Sequence, residues 1–141
     1  MNKSTKPVTL FLIEDDDVDA LTIERSFKKN RISNSIVRAT DGIDALEMLR
    51  SGDIPKPFII LLDLHMPRMG GHEFLDALRA DEEYANTVVF VLTTSVANED
   101  IQHSYKHKVA GYYVKEEAGE NFINIVNVLE SYWKIVHLPE E

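Results

Sequence analysis

Cysteine is absent from the 141-residue chain, which excludes disulfides, thiolate zinc sites and thiol catalysis and points away from an oxidising compartment. Long hydrophobic runs are missing too. The first apolar run, Val8 to Ile13, ends in Glu14-Asp15-Asp16-Asp17, far short of the ~20 residues of a membrane span or the core of a signal peptide. Positive charge is scarce: 15 Lys plus Arg stand against 24 Asp plus Glu, for a net charge of −9. A chain so acidic repels a phosphate backbone, so direct nucleic-acid binding is not expected. The expected setting is cytoplasmic. No linker, internal repeat or low-complexity stretch divides the chain, and its size suits one compact domain.

What is present is alternation. Short runs rich in β-branched and aromatic residues, Val8–Ile13, Ser35–Ala39, Phe58–Leu62, Val88–Leu92 and Tyr112–Val114, are of strand length. Between and after them lie stretches of helical length, roughly Val18–Lys29, Gly42–Arg50, Gly71–Ala80, Asn98–Lys108 and Ala118–Val136. In the last, Phe122, Ile125, Val126, Leu129 and Trp133 recur at three-and-four spacing and make one apolar face. Strict alternation predicts parallel strands joined by helical crossovers. The first and third runs are almost wholly apolar, as expected for strands covered on both faces. The predicted fold is an α/β doubly wound (βα)₅ sandwich, with any site beyond the carboxyl ends of the strands.

The residues that follow those ends are selective. Glu14 and Asp15 follow the first strand, Asp63 the third, Thr93 the fourth and Lys115 the fifth. Three carboxylates on one rim repel by about 4 kcal/mol per pair at 4 Å and an effective dielectric near 20, so a cation is required. Oxygen ligands without Cys or His select a hard divalent ion, and an open site facing a phosphate suits Mg²⁺ best. Lys115 supplies a mobile positive charge and Thr93 a hydroxyl donor, both suited to a phosphoryl group in transfer. Asp63, alone at the end of the central apolar run, is the candidate nucleophile.

These segments resemble the receiver domain of bacterial response regulators. The resemblance runs from Val8 to about Trp133, with the core at about residues 8–136 of a single domain. It rests on Leu12-Ile13-Glu14-Asp15-Asp16, on Leu62-Asp63-Leu64-His65-Met66-Pro67-Arg68-Met69-Gly70-Gly71, on Leu92-Thr93-Thr94-Ser95 and on Gly111-Tyr112-Tyr113-Val114-Lys115. It implies a flavodoxin-like parallel sheet of strand order 2-1-3-4-5 and a phosphoacceptor switch served by a sensor histidine kinase. It further implies phosphorylation of Asp63, Mg²⁺ held by Asp15, Asp63 and the His65 backbone carbonyl with Glu14 helping through water, phosphoryl contacts from Thr93 and Lys115, and Tyr112 as an aromatic switch. Such a protein is no enzyme in the ordinary sense, although it assists its own phosphorylation and dephosphorylation. The tail, Glu130 to Pro139 with no output domain after it, is similar to the small regulators that partner bacterial phytochromes and tend to dimerise through the last strand-helix face.

Two positions depart from the family pattern. Glu116 follows Lys115 where Pro is usual, so either that peptide is cis and strained or it is trans with Lys115 aimed differently. Thr94 stands where a small residue is common. Both motivate an alternative, a phosphorylation-independent binding module on the same fold. A hydrolase would need a second acid where His65 stands, and a flavin carrier a hydroxyl-rich first loop where four acids stand. His103 and His107 share a helical face at metal-ligand spacing but have no evident third ligand, so they read as solvated surface. The Asp15-x-Asp17-x-Asp19 run has Ala20 where a calcium loop needs Gly.

Overall fold

The computed structural model describes residues 6–139. Five strands, β1 (Thr9–Ile13), β2 (Ile36–Ala39), β3 (Phe58–Leu62), β4 (Val89–Thr93) and β5 (Gly111–Val114), alternate with α1 (Asp17–Lys29), α2 (Gly42–Arg50), α3 (Gly71–Ala80), α4 (Asn98–Lys106) and α5 (Ile123–Ile135). All pairings are parallel and the order is β2-β1-β3-β4-β5. This is the expected flavodoxin-like topology.

The apolar runs explain which strands are central. β1 and β4 are buried along their whole length and β3 at all but Phe58, whereas the edge strands β2 and β5 are mostly half-buried. Alternating side chains feed two cores. On one face Phe11, Ile13, Ile60 and Leu62 pack with Ala45, Leu46 and Leu49 of α2 and Phe74, Leu75 and Leu78 of α3. On the other, Leu10, Leu12, Ile59 and Leu61 meet Ala20, Ile23 and Phe27 of α1 and Ile125, Val126, Leu129 and Trp133 of α5. The Trp133 ring lies edge-on to Phe27 at 5.9 Å. The apolar face of the last helix is thus core, as its spacing predicts.

α4 is the exception, since its only buried side chain is Ser104. Polar contacts to its neighbours take the place of an apolar seam. No helix is long and apolar enough to cross a membrane among the described residues.

Two helix boundaries differ from the sequence reading. α4 stops at Lys106 because His107 caps it and Lys108 is left-handed at φ 64°. The stretch from Ala118 is not yet helix: 3₁₀ turns at Lys115–Glu117 and Glu120–Phe122 precede α5. Gly119, Asn121 and Phe122 hold φ of 84°, 56° and 59°, a left-handed backbone that an α-helix cannot absorb. Ala118 is buried, so it satisfies an apolar pattern without being helical. The Lys115–Glu116 peptide is trans; the cis bond among the described residues is Lys56–Pro57.

Candidate functional site

Register brings the site together. Ile13 is paired with Leu62, and the Asp63 N–H donates to the Ile13 carbonyl at 3.0 Å, so Glu14 and Asp63 leave the sheet side by side. Thr93 is paired with Val114, which sets Lys115 at the same rim. The reversal of strand order between β1 and β3 opens the crevice in which ligands of such sheets sit.

Carboxylate oxygens of Glu14, Asp15 and Asp63 all lie within 4.8 Å of one another. Glu14 is 2% exposed and Asp63 7%, while Asp15 faces solvent. Lys115 Nζ sits 2.9 Å from Glu14 Oε1, 3.3 Å from Asp63 Oδ2 and 2.7 Å from Asp19 Oδ2. The trans peptide therefore still delivers Lys115 to the site, against the expectation that a trans bond aims it elsewhere. Asp63 Oδ1 accepts from the Leu64 N–H at 2.7 Å, and the His65 N–H lies at 3.5 Å. The first carboxylate oxygen is held by the chain itself, which leaves Oδ2 toward Lys115.

Burial pushes the Glu14 carboxyl well above the usual carboxylate range, and the neighbouring Asp63 charge pushes it further, against the pull of Lys115. For Lys115 burial lowers the pKa, but bonds from Asp19 and Glu14 and the charge of Asp63 outweigh that and leave it raised. Four carboxylates around one ammonium leave negative charge to be balanced. The donor set is all oxygen, so these residues fit a hard divalent cation rather than a soft one.

Thr93 is fully buried, and its Oγ1 has no hydrogen-bond partner among the described residues. A buried hydroxyl left unpaired costs about 1–3 kcal/mol, so its presence at the rim fits an acceptor that arrives with a ligand. Tyr112, paired with Val91 on the neighbouring strand, is half-buried, its hydroxyl donating to the Ser95 carbonyl at 3.0 Å. Burial raises the Tyr112 pKa. Ser95 Oγ in turn donates to Asp100 of α4. Tyr112 and α4 thus meet at one residue of the loop that follows Thr93.

The loop after Asp63 is gripped from below. Asp41, the N-cap of α2, accepts from the Asp44 N–H at 2.8 Å and from Arg68 Nε at 2.7 Å. The Gly42 N–H donates to the Met69 carbonyl at 2.9 Å. At Gly71 a Cβ would lie 2.6 Å from the Asp63 carbonyl oxygen and 2.7 Å from Leu64 Cα, so α3 reaches the end of β3 only because no side chain intervenes.

Sequence reasoning missed Asp19 and the Asp41–Arg68 pair. Asp19 lies in the first turn of α1, and its partner Lys115 is 96 residues away. Arg68 gave no local signal either, because its partner is 27 residues away.

Comparison with known proteins agrees with this geometry. The model of the response regulator receiver domain matches residues 10–127. The probable methanogenesis regulatory protein FilR2 of Methanothrix harundinacea (strain 6Ac) is 32% identical over 130 residues, which cover 90% of this chain and 84% of that one. Response regulator Rcp1 of Synechocystis sp. is 29% identical over 143 residues, 98% of this chain and 97% of its own. Its Mn²⁺-bound crystal structure superposes with a TM-score of 0.83, covering 95% of this chain and 100% of that one. The phosphorylated cyanobacterial phytochrome response regulator RcpA, 30% identical, superposes with a TM-score of 0.85 over 96% of this chain and 100% of its own. Divalent-metal binding and interaction with histidine kinases go with receiver domains as a class. The chain belongs to the response regulator receiver domain family and is a phosphoacceptor of two-component signal transduction.

Proposed function

We propose that Asp63 is the phosphorylated residue and that Glu14, Asp15, Asp63 and the His65 backbone carbonyl hold the metal, Mg²⁺ in the cell, in one receiver unit spanning the chain. The observation that supports this most is the convergence of three carboxylates and the Lys115 ammonium on one strand-end rim. When bound, Mg²⁺ neutralises the carboxylates and the charge developing on the phosphoryl oxygens. Asp63 Oδ2 attacks phosphorus while the P–N bond to the kinase histidine breaks, and the departing imidazole takes up a proton. Lys115 and Thr93 receive the phosphoryl oxygens, Thr93 with the hydroxyl that otherwise has no partner. The chain thereby assists its own phosphorylation and, with water in place of the kinase, its own reset. Lys115 standing in the site supports this reading over a binding module indifferent to phosphorylation.

The output is a change of surface. Drawing Thr93 toward the phosphoryl moves the loop that holds both Tyr112 and Asp100 through Ser95, and so biases α4 and β5. Tyr105 on α4 and Val128 and Ile135 on α5 are exposed, which supports docking or self-association through that face. RcpA is a phytochrome response regulator, and a phytochrome-type histidine kinase is the input we propose, in a cytoplasmic setting.

Incubation with beryllofluoride and Mg²⁺, followed by mass analysis and sedimentation, tests the proposal. One adduct per chain is expected, absent in Asp63→Asn and accompanied by a rise in mass of the assembly. An adduct that persists in Asp63→Asn rules out the assignment, and an unchanged assembly mass at full occupancy rules out dimerisation as the output.

A further inference from the structure

α4 is fastened to α3 by side chains that climb both helices in step. His72, Asp76 and Arg79 of α3 stand at positions i, i+4 and i+7, and Asp100 and His103 of α4 with its C-cap His107 at i, i+3 and i+7, so each set makes one face. His72 Nε2 lies 2.8 Å from Asp100 Oδ1. One turn further, His103 Nε2 and His107 Nε2 both approach the same oxygen, Asp76 Oδ1, at 3.2 and 2.9 Å. At the end of the row Arg79 Nε donates to the His107 carbonyl at 2.7 Å. The imidazoles lie close but tilted, His72 to His103 at 4.2 Å and 53° and His103 to His107 at 4.7 Å and 35° between rings.

The middle rung has the chemistry of a metal site. Two imidazole nitrogens and one carboxylate oxygen lie within 4.8 Å of one another. Around a tetrahedral zinc with bonds of about 2.0–2.2 Å, ligand atoms stand roughly 3.3 Å apart, close to the two nitrogen–oxygen separations already in place. A neutral imidazole pair sharing one acceptor oxygen uses that oxygen twice, whereas a cation between the three uses every lone pair directed inward. The Asp76 side chain is 53% exposed, so water has access to a fourth position. Two nitrogens select borderline ions of the Zn²⁺ class over Mg²⁺ or Ca²⁺, which prefer all-oxygen sets. The chain would then carry two sites of opposite taste, a hard one at Asp63 and a borderline one between the helices.

We infer that Asp76, His103 and His107 form a second, transition-metal site that clamps α4 onto α3. The sequence displayed the two histidines; the third ligand, 27 residues upstream of His103, is supplied by the packing of α3 beside α4. The clamp matters because α4 has no apolar anchor and is tied through Asp100 to Ser95 and hence to the loop after Thr93. A metal there restrains the element that the phosphoryl site must move.

The test titrates the untagged full chain with Zn²⁺, and with Co²⁺ for its visible spectrum, in excess Mg²⁺ so that the acidic site is filled. One Zn²⁺ per chain is expected, with ring-proton NMR shifts at His103 and His107 and none at His137. His103→Ala and His107→Ala should each weaken binding by at least about 100-fold, and Asp63→Asn should leave it intact. Slower hydrogen exchange in α4 should accompany occupancy in the wild type. Binding that survives both histidine substitutions, is lost in Asp63→Asn, is competed by Mg²⁺ or shifts neither ring overturns the inference. The ring shifts are read on the wild-type chain, so a variant that folds poorly does not decide the matter, and loss of the phosphoryl reading at Asp63 leaves this site untouched.

Discussion

Thr93 illustrates how a single residue carries conflicting demands. Its hydroxyl is buried without a partner, a state that destabilises the resting fold. Thr93→Val removes the hydroxyl at nearly constant shape and should raise resting stability by about 1–2 kcal/mol in urea titration, while slowing beryllofluoride or acetyl phosphate uptake. A variant that is less stable would mean that the hydroxyl is satisfied at rest. Asp41 shows the opposite economy. Its bonds from Arg68, opposed by burial and aided by the Asp44 N–H, hold the carboxyl below its ordinary value. A carboxylate depressed in the folded state stabilises above its unfolded pKa of about 3.9 and loses that contribution as pH falls through the lower folded value. Asp41→Asn should therefore be less stable than the wild type at neutral pH, with the gap closing as pH falls below the unfolded value, as thermal denaturation at neutral and at acid pH will show. At this scale the sequence was most informative where one residue stood alone at a strand end, as Asp63 does, and least where meaning came from a distant partner. Nothing near Lys115 in sequence announces Asp19, 96 residues earlier.

Among the elements, the central strands were readable because burial on both faces leaves runs almost wholly apolar. Helix ends were less so. Ala118 looks helical because it is apolar, yet the left-handed backbone at Gly119, Asn121 and Phe122 postpones α5 to Ile123. The end of α3 is tied to two loops by Arg79, whose guanidinium donates to the carbonyls of Ala85, Thr87, His107 and Lys108. Arg79→Met keeps the length and removes those donors, leaving carbonyls from two loops unpaired. It should cost about 2–3 kcal/mol, measured by urea unfolding, and loosen the end of α4 first.

Across the whole molecule stability is unevenly distributed. β1, β3 and β4 are enclosed by both cores, while α4 buries only Ser104. Amide exchange in metal-free protein should accordingly be slowest in the three central strands and fastest, among the helices, in α4. Protection of α4 equal to that of β3 would contradict the assignment of α4 as the movable element. The overall topology was legible from alternation alone, since parallel neighbours demand crossovers. What alternation could not supply was the pairing of helix faces, and with it the junction of α3 and α4.

An ammonium has three protons to give, and Lys115 has Glu14, Asp19 and Asp63 to receive them. Its donor capacity is already full. When Asp63 Oδ2 becomes an ester oxygen its bond from Lys115 passes to a phosphoryl oxygen, and any second phosphoryl contact must evict a present holder, of which Asp19 alone lies outside the proposed metal-ligand set. In the proposed reaction that second contact is an exchange that unmoors the opening turn of α1, so a protein resting against that turn would sense the event without touching the phosphate.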